Sequence, residues 1–118
     1  MSVSAAQRTA FFDEAVRYGE VFTIRDDGGF PAPMTHADVR AQPFWSRKSR
    51  AEQIIATVDA YAGFAPVRVS LDDFRERWLP GLSRDGLRVG VNWSGGSAAG
   101  YDMTPDEVLA WLSADGRR

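Results

Sequence analysis

Leu87–Arg88–Val89–Gly90–Val91–Asn92–Trp93, then Ser94–Gly95–Gly96–Ser97, then Ala98 to Met103, is the stretch that decides the fold. From Leu87 to Trp93 the odd positions are apolar and the even ones small or polar, which is the period-two pattern of a strand. The two glycines supply a turn, and the chain returns, so the segment reads as a β-hairpin. Thr104–Pro105–Asp106–Glu107 follows at once, with Thr to cap, Pro at the first helical position and Glu three residues after the cap. Val108, Leu109, Trp111 and Leu112 give that helix an apolar side.

Working outward, the same punctuation recurs. Ser70 opens a short helix in which Leu71, Phe74 and Trp78 share a face, and Leu79–Pro80–Gly81–Leu82 is expected to stop it. Pro66–Val67–Arg68–Val69 reads as a short strand before it. A helix is expected from about Arg47 to Tyr61, with Ser46 as N-cap or Ser49 and Glu52 as a capping box, and with Ala51, Ile54, Ile55 and Val58 buried. Val39–Arg40–Ala41–Gln42 reads as a strand, because Pro43 biases the residue before it away from helix. Glu20 to Arg25 is rich in β-formers, and Asp26–Asp27–Gly28–Gly29 is hairpin punctuation. The returning arm Phe30–Pro31–Ala32–Pro33–Met34 carries two prolines and must be an edge or irregular. Ser4 caps a first helix reaching about Tyr18, with Gly19 ending it.

The expected fold is therefore α+β. It is a small, mostly antiparallel sheet of two hairpins and a short strand, with about four helices packed on it. The 118 residues suit one domain, with an ordered core over about residues 4–114.

Composition narrows the function classes. The formal net charge of -2 leaves no basic surplus for a phosphate backbone, so nucleic-acid binding is disfavoured. All but one of the 14 cationic residues are arginine. The absence of cysteine excludes disulfides, thiolate metal sites and a cysteine nucleophile, and the single histidine excludes any site needing two imidazoles. No cofactor or metal site is expected. No apolar run approaches a membrane span, and a cytoplasmic location is the default expectation.

One cluster points to chemistry. Ser46–Arg47–Lys48–Ser49–Arg50 places three cations and two hydroxyls at the start of a helix, where free N–H groups already favour an anion. Phe44 and Trp45 stand beside it and offer a stacking surface. Trp78 and Trp111 fall at helical core spacing, whereas Trp45 and Trp93 stand at element ends, where an exposed aromatic can anchor an interface. Asp26–Asp27 and Asp72–Asp73 read as a turn and a helix start rather than as acid–base pairs. His36 reads as a loop residue, and no nucleophile elbow is present.

Several segments together resemble a known family. They are Phe22–Thr23–Ile24–Arg25–Asp26–Asp27–Gly28–Gly29–Phe30–Pro31, then Arg40–Ala41–Gln42–Pro43–Phe44–Trp45–Ser46 with Ser49–Arg50. Ala60–Tyr61–Ala62–Gly63–Phe64, Trp78–Leu79–Pro80–Gly81–Leu82 and Gly90–Val91–Asn92–Trp93–Ser94 complete the series. Over about residues 5 to 112 the chain resembles the bacterial domain-of-unknown-function family numbered 2750. The resemblance implies a stand-alone bacterial protein of one domain. It carries no activity, substrate or catalytic residue.

The leading expectation is a non-enzymatic binding or regulatory module. It would hold an acidic protein partner or an anionic ligand through Phe44, Trp45, Ser46, Arg47, Lys48 and Arg50, with Trp93. A small enzyme or phosphate-ligand sensor at the same place, using Asp26 or His36, is the alternative. A single-stranded nucleic-acid binder stacking bases beside arginines is the third.

Overall fold

Helix α1 (Val3–Tyr18) turns Phe11, Phe12 and Ala15 into the core. It ends at Gly19, whose φ of 69° and 2.9 Å bond to the Ala15 carbonyl are those of a left-handed terminating residue. Ser4 lies inside this helix and not at its cap. The structure, a computed structural model, describes residues 3–36, 38–96 and 98–115. The expectation placed on Ser97 in the turn lies outside that part.

Strand β1 (Glu20–Arg25) follows as read. The Asp26–Gly29 turn forms too: the two residues exchange backbone bonds of 3.1 Å, and Asp26 Oδ1 accepts from Gly28 N at 2.8 Å. The returning arm does not pair with β1. Residues Phe30 to Pro33 form no strand, since two of the four lack an N–H to give. Instead β2 (Met34–His36) pairs with β3 (Val39–Phe44), and β1 pairs antiparallel with β4 (Ala65–Ser70), from Glu20 opposite Ser70 to Arg25 opposite Ala65.

Helix α2 (Lys48–Thr57) is shorter than its sequence pattern. Val58 takes extended backbone (φ −106°, ψ 112°) and sinks into the core, and a separate 3₁₀ turn covers Asp59–Tyr61. Arg47 holds the N-cap position without a side-chain cap, and Ser49 is the second helical residue, so neither expected capping arrangement exists. At α3 (Leu71–Asp73) the cap is as read, with Ser70 Oγ accepting from Asp73 N at 3.1 Å. Leu79–Pro80 does not stop this helix. The chain widens into a π turn (Phe74–Trp78) and continues as α4 (Leu79–Arg84). The Leu79 N–H reaches back five residues to the Phe74 carbonyl, and the wide turn gives room to a proline that has no N–H of its own.

Strands β5 (Arg88–Ser94) and β6 (Ala99–Met103) form the expected hairpin and lead into α5 (Pro105–Asp115). The capping box closes in both directions. Glu107 N donates to Thr104 Oγ1 at 3.1 Å, and Thr104 N donates to Glu107 Oε1 at 2.9 Å.

The fold is α+β, in two sheets. One has the order β2-β3-β5-β6, the other is β1-β4. Among the described residues only β3 and β5 run parallel, so the chain between them must cross over, and it carries α2, β4, α3 and α4 on the way. The sheets are stitched at one bridge, where Phe22 and Trp45 exchange two 2.7 Å bonds. The ladder cannot extend to Pro43, which lacks a donor, and the Thr23 hydroxyl bonds the Pro43 carbonyl at 2.9 Å instead. Two clusters fill the two faces. The larger takes Phe11, Phe12, Val21, Phe44, Phe74, Val89, Val91, Val108 and Leu112. The smaller takes Phe22, Ile24, Trp45, Ile54, Val58 and Tyr61 under α2. Among the described residues no helix is long and apolar enough to cross a membrane.

Candidate functional site

The strand alternation of β5 breaks at Asn92. This residue is 1% exposed and has φ of 50°, a left-handed conformation that asparagine tolerates better than most side chains. The β5–β6 register shifts between Val91 and Ser94, which is a β-bulge. Its effect is to move Trp93 off the face it would share with Val89 and Val91. The indole lies over Gly90 instead, where an added Cβ would meet it at 2.4 Å, and against Gly100. Only residues without a Cβ leave that space.

Asn92 then anchors a buried polar network. Its Oδ1 accepts from Ser46 N (2.9 Å), and its Nδ2 donates to Ser46 Oγ (3.0 Å) and to the Gln7 carbonyl in α1 (3.2 Å). That leaves the Ser46 hydroxyl its one proton, which goes to Glu14 Oε1 at 2.6 Å. Glu14 receives Arg50 by two bonds, Nε to Oε1 at 3.0 Å and Nη2 to Oε2 at 3.1 Å. Partial burial works against ionising Glu14. The bonds from Arg50 and Ser46 and the charges of Arg50 and Arg47 outweigh it and hold the carboxyl below its ordinary pKa. The network ties α1, the end of β3, α2 and β5 together through one serine.

Beside the network a groove of about 550 Å³ opens between α2 and the β5–β6 turn. Ser49, Gln53 and Thr57 recur every four residues along one stripe of α2, and Ser94, Gly95 and Gly96 face them. Trp45, Ile54 and Trp93 supply apolar lining, and Arg50 enters from the network side.

The residues singled out in the sequence are only partly brought together. Arg50, Trp45 and Trp93 line the groove, and Ser46 lies beneath it in the network. Phe44 and Trp45 cannot form an exposed stacking surface: consecutive strand residues point to opposite faces, each enters a different core cluster, and both are 0% exposed. The three cations diverge. Arg47 lies over the Tyr18 ring at 3.8 Å, Arg50 turns to Glu14, and Lys48 projects into solvent. Trp111, at core spacing, is 37% exposed, whereas Trp93, at a strand end, is 3% exposed. Asp26 is occupied by its own turn, and Asp73 pairs with Arg77 at 3.7 Å on the surface. The side chain of His36 lies outside the described part. Glu14, Asn92 and Gln53 were missed. The sequence carries no signal for them, because Asn92 falls at an even position, where the alternation already expects a polar residue. Among the described residues no three His, Asp or Glu side chains are grouped to hold a metal ion.

Residues 8–112 match the family model described as "Protein of unknown function (DUF2750)". The match covers most of the chain, and the chain belongs to that family. No curated protein matches it.

Proposed function

Taking membership of that family as the premise, we propose that the protein is a binding module. Its groove between α2 and the β5–β6 turn takes a small polar ligand carrying one anionic group. The observation that carries this reading is the unspent hydrogen-bonding capacity of the lining. Ser49 and Gln53 use no side-chain bond internally among the described residues, and Arg50 gives only two of its five N–H donors to Glu14. The volume lies in the range of small-molecule sites, which run from roughly 300 to 1,000 Å³. Glu14 offsets the charge of Arg50, so the groove suits a single carboxylate or phosphate monoester better than a polyanion. An enzyme at this place would need a group free to move a proton. The carboxylate of the network is instead held ionised by Arg50 and Ser46, a state suited to positioning Arg50.

Thermal unfolding in a panel of acetate, glycolate, inorganic phosphate and phosphate monoesters tests the reading. A ligand present at 100 times its Kd stabilises by about 2.7 kcal/mol. The expected result is a rise in melting temperature with a subset of the panel, abolished in Thr57→Trp, which fills the groove from an exposed helical position. No rise with any member, or an equal rise in Thr57→Trp, removes the groove as the site.

A further inference from the structure

On the other side of the β5–β6 hairpin, Arg8 of α1 lies over two rings from different elements. Its guanidinium carbon is 4.5 Å from the centroid of Tyr101 on β6 and 4.8 Å from that of Trp111 on α5. Trp111 is itself stacked on Phe12 at 5.0 Å with 23° between planes, so the assembly is braced against the core. Tyr101 and Trp111 are each 37% exposed. Arg8 Nε is buried and has no hydrogen-bond partner. Arg8 makes no ion pair among the described residues, and its two terminal nitrogens make no bond there either. Among the described residues, six of the other ten arginines are committed to an oxygen: Arg50 to Glu14, Arg68 to Glu20, Arg77 to Asp73, Arg88 to Asp102, Arg40 to the Ala32 carbonyl and Arg75 to the Leu112 carbonyl, while Arg17, Arg25 and Arg47 each lie over a single ring.

A guanidinium half-covered by two rings, with its buried Nε–H given no acceptor among the described residues, leaves donors that a group outside the chain can satisfy. Arg, Tyr and Trp are also the residues that dominate binding energy at protein interfaces. Beside them runs β6, the outer strand of its sheet, where Ala99, Gly100 and Tyr101 are exposed and no charged side chain guards the first three positions. We propose that this face is a docking site for an acidic peptide segment of a partner protein. The segment lies extended along β6, with a carboxylate on the terminal nitrogens of Arg8 and an apolar side chain against Tyr101 and Trp111. One isolated cation suits a carboxylate in a peptide. A nucleic acid would call for a row of cations. The proposal is independent of the groove under α2.

The test is a titration of the ¹⁵N-labelled protein with a hexaglutamate peptide, with hexaglutamine and oligo-dT as comparators. The Arg8 Nε–H and the Trp111 indole N–H report directly on the face. The expected result is a shift at these two signals with hexaglutamate only. Its apparent affinity should fall roughly tenfold or more in Arg8→Gln. Arg8→Lys should recover it only in part, since an ammonium does not stack flat on two rings. The melting temperature of each variant shows that it is folded. Gln53→Ala, in the groove, should leave the titration unchanged. The proposal is overturned by no shift with hexaglutamate, by equal shifts with hexaglutamine, by stronger binding of oligo-dT, or by wild-type affinity in a folded Arg8→Gln.

Discussion

Glu14 joins two helices through a single carboxylate, and that gives the protein a readable acid dependence. Its pKa is below the ordinary 4.5 when folded, despite partial burial, because Arg50 and Ser46 bond the ionised form. Between the folded and unfolded values the unfolded chain binds more protons. The contribution of Glu14 is therefore complete above about pH 4.5 and is lost as the pH falls through the folded value. The melting temperature of the wild type should drop more steeply on acidification from about pH 5 than that of Glu14→Gln. Glu107, lowered chiefly by its bond from the Thr104 backbone, acts in the same window, so the flattening will be partial. Parallel curves for the two proteins would show that the Glu14–Arg50 pair contributes nothing differential to folding. At this scale the sequence was a poor guide. Ser46 looks like a cap and is a buried relay, and Arg50 looks like a surface cation and is half of a pair. Which side chain a serine or an arginine meets depends on elements far away in the chain.

Several elements whose determinants lie within four residues were legible, although neither cap expected for α2 formed. The Thr104–Glu107 box, the Ser70 cap, the Gly19 stop and the Asp26–Gly29 turn are all present as read. Thr104→Ala should cost about 1 kcal/mol, within a usual range of roughly 0.5–2, because Glu107 N loses its acceptor. Urea unfolding measures this as a lower midpoint with an unchanged slope. A midpoint equal to wild type would mean that α5 is held by packing alone. The helix through Pro80 was misread for a related reason. A proline inside a helical pattern ordinarily ends it, and here the buried Leu79 before it and Leu82 beyond it keep the chain helical through a π turn.

For the whole molecule, the two apolar clusters lie on opposite faces of strands that both share. Val21 and Phe44 enter one, and Phe22 and Trp45, their chain neighbours, enter the other. Loss of either cluster should therefore weaken the same strands. Phe74→Ala in the larger cluster should cost about 3–5 kcal/mol, and Ile54→Ala in the smaller about 2–5 kcal/mol. In both variants far-UV circular dichroism and tryptophan emission should report one coincident transition. Two separated transitions in Ile54→Ala would show that the layer under α2 unfolds on its own.

The sequence by itself determined the class of fold, the Asp26–Gly29 turn, the caps at Ser70 and Thr104, the β5–β6 hairpin and the family, because each is carried by short-range pattern or by an ordered series of local motifs. The tertiary structure alone decided the rest. It paired β1 with β4 and not with the proline arm, set β3 parallel to β5, and separated Phe44 from Trp45. It turned Trp93 over Gly90 through the bulge at Asn92, and it left Arg8 on two rings without a counter-charge. Strand partners and side-chain destinations are contacts between distant residues. Their free energy depends on which surfaces remain to be covered once the local elements exist, and that quantity is not written in any short stretch of chain.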